Sequence, residues 1–212
     1  MSFTFHHSIE VDATPAKAYH VFADPASFEE IMVSSSVLTR DCTLTSSPSN
    51  ETKEVTFSTT CTPRELASMA QRLLEADESS KWTAQSLGAL VVHAMHFKLT
   101  EEVVYLGFKK VIPVTGTMFV PRDESAPFCQ FDHRKTDDGL VETRKMRVIT
   151  PSTTVSTSVA RAEIWEELIG TTSWYLKYFV EAEAQKSHAN VVKYYETHFN
   201  NLKQDQETEG KA

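Results

Sequence analysis

The stretch WEELIGTTSWYLKYFVEAEAQKSHANVVKYYETHFN, residues 165–200, decides how the rest of the chain must be arranged. It holds no proline, and its last glycine is Gly170. Leu168, Thr172, Tyr175, Phe179, Ala182, Ala189, Val192, Tyr195 and Phe199 recur at helical spacing, which predicts one amphipathic helix of about 30 residues, ~45 Å long. A single apolar stripe of that length needs a broad surface to bury against. The polar residues 206–212 after it read as a tail that frays.

Upstream residues supply such a surface. Phe3, Phe5, His7, Ile9 and Val11 alternate with polar neighbours, the period-2 mark of a half-buried strand. Thr14-Pro15 and Asp24-Pro25 each set a capping side chain before a proline, so two short helices follow, the second through about Met32. Val33–Thr45 and Glu51–Cys61, separated by Ser46-Ser47-Pro48-Ser49-Asn50, read as a hairpin. Thr62-Pro63-Arg64-Glu65 is a capping box, and residues 63–90 read as a helical insertion carrying Trp82. The alternation from Val91 to Leu99 favours a strand over a continued helix. Lys110–Val120, Phe128–Lys135, Leu140–Ile149 and Thr153–Arg161 read as four more strands, with Asp138-Gly139 the sharpest turn signal. The fold class is therefore α+β: a curved antiparallel sheet of about seven strands wrapped over a long C-terminal helix, in one domain spanning residues 1–205. A twisted sheet closed on one helix leaves a cavity wherever side chains fail to fill it.

Composition excludes several functions. With 212 residues, 41% hydrophobic and 24% charged, the chain is an ordinary globular one with a core large enough to need no staple. Its 29 acids against 21 bases give a net charge of -8, which argues against a nucleic-acid partner. Cys42, Cys61 and Cys129 show no CxxC spacing and no signal peptide precedes them, so the expected setting is reducing and cytoplasmic. No apolar run approaches the ~20 residues of a transmembrane segment. The six glycines are unclustered, so no phosphate-cradling loop exists, and no Gly-x-Ser-x-Gly elbow appears.

Strand, two short helices, antiparallel meander and long closing helix together resemble the helix-grip fold of the START-like and polyketide-cyclase-like (SRPBCC) superfamily. The opening residues 5–24, Phe97-Lys98-Leu99-Thr100-Glu101-Glu102, Gly116-Thr117 and Glu142-Thr143-Arg144-Lys145-Met146-Arg147 carry the resemblance. It implies binding of a hydrophobic small molecule such as a lipid, sterol, terpenoid or polyketide, without a cofactor, and a minority of members act as cyclases, dehydratases or isomerases. The inserted residues 63–90 depart from the simplest members.

Candidate residues follow from strand parity. His7, His93 and His133 share faces with Phe3 and Phe5, with Met95 and Phe97, and with Cys129 and Phe131; there a neutral imidazole acts as general acid or base, or is a satisfied core histidine. Glu142 and Arg144 share a strand face with Met146 and Val148, either as an ion pair entering the interior to hold a ligand's polar group or as a solvent-facing pair. Phe97, Tyr105, Phe119, Phe131, Trp174 and Tyr178 are the expected aromatic lining, and Trp82 an expected lid. No metal is expected: His93 and His96 point to opposite faces of a strand, and no HExxH or Cys/His cluster occurs. Three readings stay open, namely a carrier of a hydrophobic small molecule in contact with membranes only transiently, an acid/base enzyme, and a protein-interaction module with a filled core.

Overall fold

Thr14 and Asp24 begin the first two helices as their side chains dictate. Thr14 Oγ1 accepts from Lys17 N at 3.2 Å to start α1 (Pro15–Ala23), and Asp24 Oδ1 accepts from Ala26 N at 3.0 Å to start α2 (Pro25–Ser35). The computed structural model describes residues 1–45, 52–57, 64, 65, 68, 88–105, 107–121, 128–152 and 161–209. Its strands are β1 (Ser2–Val11), β2 (Thr39–Leu44), β3 (Thr52–Phe57), β4 (Gly88–Tyr105), β5 (Phe108–Pro121), β6 (Cys129–Thr136), β7 (Val141–Pro151) and β8 (Ala162–Thr172). The chain closes with α3 (Lys177–Glu209).

All strand pairs are antiparallel, in the order β1-β8-β7-β6-β5-β4-β2, with β3 also on β4. The architecture is the helix-grip fold: one curved eight-stranded sheet holds α1, α2 and α3 on its inner face.

Four expectations are corrected here. Val33–Thr45 and Glu51–Cys61 do not form a hairpin, because β2 and β3 lie end to end along one edge of the 18-residue β4, on residues 97–101 and 88–93 respectively. Residues 162–172 are the last strand, so the final helix starts at Lys177 and not near Trp165. The four-residue step from Leu168 to Thr172 is one helical turn and equally two strand repeats, so it fits both periods. The helix also continues through the expected tail to Glu209. Of the expected strand at 153–161 all but Arg161 lies outside the described residues, as do residues 63, 66, 67 and 69–87 of the expected insertion 63–90, Trp82 included; its last residues, 88–90, are not helical but begin β4.

Two clusters fill most of the inner face. Ile9, Val11, Tyr19, Phe22 and Ile164 pack against Val191, Tyr195 and Phe199 of α3. Phe28 and Met32 of α2 pack on Met95, Phe97, Leu99, Val114 and Met118 of β4 and β5. The N-terminal half of α3 lies beyond both clusters, and there the inner face is left incompletely filled.

The outer face is also buried in part: Phe131, Met146 and Val148 are at most 3% exposed. Arg64 reaches that face, with its guanidinium 5.2 Å from the Trp165 ring centroid and 2.7 Å from Glu163 Oε1.

Candidate functional site

A cavity of about 150 Å³ lies between the sheet and the first turns of α3. Phe3, Ile112, Val114, Leu168, Phe179 and Val180 form its apolar walls. Glu101, Arg134 and Lys145 stand in its polar wall, and Asp132, Arg147 and Glu166 lie on the same face of the sheet outside the lining. Asp132 and Arg134, Lys145 and Arg147, and Glu166 all point inward, because strand alternation carries every second residue to the helix side.

These charges are arranged in pairs. Arg147 donates from Nε to Glu166 Oε1 at 2.5 Å, and its other nitrogens reach Gln130 Oε1 and the Tyr195 hydroxyl. Its guanidinium also stacks 4.0 Å from the Phe22 ring centroid. Burial alone would push the Glu166 carboxyl up, but Arg147 and Lys145 hold it down at about 2. Arg134 forks onto both Asp132 oxygens at 3.0 Å from Nε and stacks 5.7 Å from the Phe97 centroid. Asp132 is held below its ordinary value: its burial opposes ionisation and Arg134 outweighs that. Glu101, another cavity residue, is pushed up by burial.

Lys145 differs from its neighbours: among the described residues its ammonium has no hydrogen-bond or ion-pair partner. Desolvation pushes it down to about 8, against the pull of Glu166.

Beside Lys145 stand two histidines. His7 Nδ1 meets His188 Nε2, and His7 Nε2 lies 3.8 Å from Glu166 Oε2. Burial lowers both imidazoles, His188 to about 4, so both are neutral at pH 7.

The expected site residues are distributed differently. His7 faces inward and touches His188, which lines the cavity. His93 shares the inner face with Met95 but lies opposite Val120, away from the cavity, with a buried Nδ1 that has no hydrogen-bond partner among the described residues. Phe97 is inward and buried, yet it packs on Phe28, at 5.2 Å between centroids, instead of lining the cavity.

Phe119, Phe131, His133, Glu142 and Arg144 stand on the outer face, because it is Asp132, Arg134, Lys145 and Arg147 that occupy the inward positions of β6 and β7. There Glu142 Oε1 accepts from Arg144 at 2.9 Å and lies 3.0 Å from His133 Nε2. His133 also borders a shallow groove of about 350 Å³ with His96, Thr117 and Lys135, polar and more open to solvent than the cavity. Trp174 and Tyr178 are 74% and 86% exposed, so they do not line the cavity. Tyr105 ends β4, and its side chain is outside the described residues.

The inward charges, Lys145, Glu166 and His188 above all, escaped the sequence reading. One signal was present: Glu166 sits between Ile164 and Leu168 at strand period in an otherwise apolar row.

The exposed large hydrophobics among the described residues are Met1, Val37, Val104, Phe108, Val111, Trp174, Tyr175 and Tyr178. All of them lie within a few residues of cavity-lining positions. Val104, Phe108 and Val111 extend the ribbon whose Val103 and Ile112 line the cavity, and Trp174 to Tyr178 lead into Phe179.

Fold and site together define an α+β helix-grip protein with a charged, partly apolar internal cavity. Among solved structures the chain is similar to the protein TTHA0849 of Thermus thermophilus, at 10% identity and a TM-score of 0.50, covering 94% of this chain and 99% of that one. It also aligns with a START superfamily protein from Mycobacterium smegmatis at 10% identity and a TM-score of 0.46, covering 94% and 98% of the two chains. A norcoclaurine synthase point mutant from Thalictrum flavum, bound to a transition state analogue, aligns at 10% identity and a TM-score of 0.44, covering 96% and 97%. At such identity the first likeness is one of fold. No protein-family model and no curated protein matches the sequence. Among the described residues no helix is long and apolar enough to cross a membrane.

Proposed function

We propose that this chain binds an apolar small molecule carrying one anionic or strongly hydrogen-bond-accepting group, with its body against Phe3, Val114, Leu168 and Val180 and its polar group on Lys145. The observation that carries this reading is the Lys145 ammonium, without a hydrogen-bond or ion-pair partner among the described residues, on the wall of a partly apolar cavity. Lys145 is half-buried, and a ligand carboxylate, phenolate or carbonyl oxygen gives its partly desolvated ammonium a charge-assisted hydrogen bond.

The pairing of the neighbouring charges supports the same reading. Arg134 is taken up by Asp132 and Arg147 by Glu166, which leaves Lys145 as the cation for a ligand's anionic group. Size narrows the class, since a void of about 150 Å³ suits a body on the scale of one ring, which favours a small terpenoid or polyketide fragment over a sterol. Apolar burial contributes about 25 cal/mol per Å² to affinity, and the charge fixes orientation.

The test is native mass spectrometry of the purified protein with solvent extraction, followed by titration with 3-phenylpropionate, an apolar anion with one ring. A stoichiometric complex that weakens at least tenfold in Lys145→Met is the expected result. An uncomplexed mass together with equal probe binding by both proteins would overturn the proposal.

A further inference from the structure

We propose that His7, Glu166 and His188 hold a divalent transition-metal ion of the zinc class at the inner wall of the cavity. The three residues come from β1, β8 and α3, and one ligating atom from each lies within 4.8 Å of the others. Their positions in the chain, 7, 166 and 188, form no local motif, which is why the sequence shows none.

Two of the atoms lack any partner. His7 Nε2 and Glu166 Oε2 are buried without a hydrogen bond and lie 3.8 Å apart, too far to bond each other. Zinc bonds of about 2.0–2.1 Å to nitrogen and about 2.0–2.2 Å to oxygen fit one ion into that gap. The His188 ring stands edge-on to His7, with 4.0 Å between centroids and its Nε2 against His7 Nδ1, so one ring turns to bring a His188 nitrogen to the ion.

Glu166 is held ready for this role. Its side chain is 0% exposed, and its other oxygen is fixed by Arg147 at 2.5 Å and by the Tyr195 hydroxyl at 3.4 Å, which leaves Oε2 directed at the imidazoles. His188 lines the cavity, so a fourth coordination position opens toward it. Three protein ligands with an open position is the arrangement of a reactive rather than a purely structural metal site.

The donor set selects the ion. Two imidazoles and one carboxylate suit Zn²⁺, Co²⁺ or Fe²⁺, whereas Ca²⁺ and Mg²⁺ require more oxygen ligands. Lys145 and Arg147 also act on Glu166, so a cation enters against positive charge. Coordinate bonds from imidazole nitrogen withstand that field better than binding that relies on carboxylate charge alone. The inference does not depend on the apolar-ligand reading, because the three side chains meet whether or not the cavity is filled.

The test uses the untagged full chain, freed of metal by a chelator and titrated with Co²⁺. Expected are one equivalent bound with a visible ligand-field band, displacement by one equivalent of Zn²⁺, and no displacement by Mg²⁺ or Ca²⁺. His188→Ala should lower Zn²⁺ affinity, measured by calorimetry, by at least the about 10–100-fold that losing an outer partner costs, with an unchanged circular dichroism spectrum. His133→Ala, on the outer face, should leave it unchanged. Absence of both band and heat in the native protein overturns the proposal, and so does undiminished Zn²⁺ affinity in His188→Ala. Should that variant fail to fold, His188→Gln and X-ray absorption on the Co²⁺-loaded native protein carry the decision, since an oxygen-only shell contradicts the site.

Discussion

Arg147 Nε and Glu166 Oε1 meet at 2.5 Å in the middle of the inner face, with side chains 6% and 0% exposed. Removing one partner strands the other in a low-dielectric interior, where an unpaired charge is far more costly than the pair is favourable. Arg147→Met should therefore lose about 3–5 kcal/mol in urea unfolding. The double change Arg147→Met with Glu166→Leu should regain most of it. If the double variant is no more stable than the single one, Glu166 has another counter-charge.

Lys145 gives the protein a pH signature of defined sign. Its folded value of about 8 lies below its ordinary 10.5, so between those values the unfolded chain keeps a proton that the folded chain lacks. Its contribution to stability therefore rises with pH across that window. Glu166 on β8, Asp132 and Arg134 on β6, Arg147 on β7, His7 on β1 and His188 on α3 share its surroundings, so the comparison must be with a variant that keeps them all. Native protein minus Lys145→Met should gain stability from pH 8 to 10, while affinity for an apolar anion falls over the same range. A flat difference in both would remove Lys145 from the site.

Gly116 tests the packing that separates core from cavity. A Cβ there would stand 2.3 Å from Phe97 Cζ, and the Phe97 ring is confined by Phe28 and Arg134. Gly116→Ala should cost about 1–3 kcal/mol, with partial recovery on adding Phe97→Leu. A loss within about 0.5 kcal/mol, the range of an ordinary surface change, would mean the ring has room to move.

Cys42 and Cys129 are both buried, and burial pushes both thiols up to about 12. In a Cys61→Ser protein, dithiobis-nitrobenzoate at pH 8 should label neither until denaturant is added. Rapid stoichiometric labelling of the folded protein would show that the sheet opens locally.

The sequence made the helix-grip outline legible because that outline rests on local signals. Thr14-Pro15 and Asp24-Pro25 fix the first helices, and the alternation of β1 and of β4 is clear in their residues. The site was not legible, and the reason lies in the two faces of the sheet. Apolar side chains normally mark the inward face, but Phe131, Met146 and Val148 are buried on the outer one, while Arg134, Lys145, Arg147 and Glu166 turn toward the helix. Reading parity from hydrophobicity therefore assigned β6 and β7 to the wrong side, and Glu142, Arg144 and His133 went with them. Leu168 was misplaced for a different reason, since a four-residue step suits strand and helix alike.

The central claim is that an apolar anion enters between sheet and helix and rests on Lys145. Amide and methyl chemical-shift mapping with 3-phenylpropionate, an apolar anion with one ring, tests it most directly. Perturbations centred on Phe3, Val114, Lys145, Leu168 and Val180, and lost in Lys145→Met, are the predicted result. Perturbations confined to His96, Thr117 and His133 on the outer face, or to Phe108 and Trp174 on the surface, would contradict it.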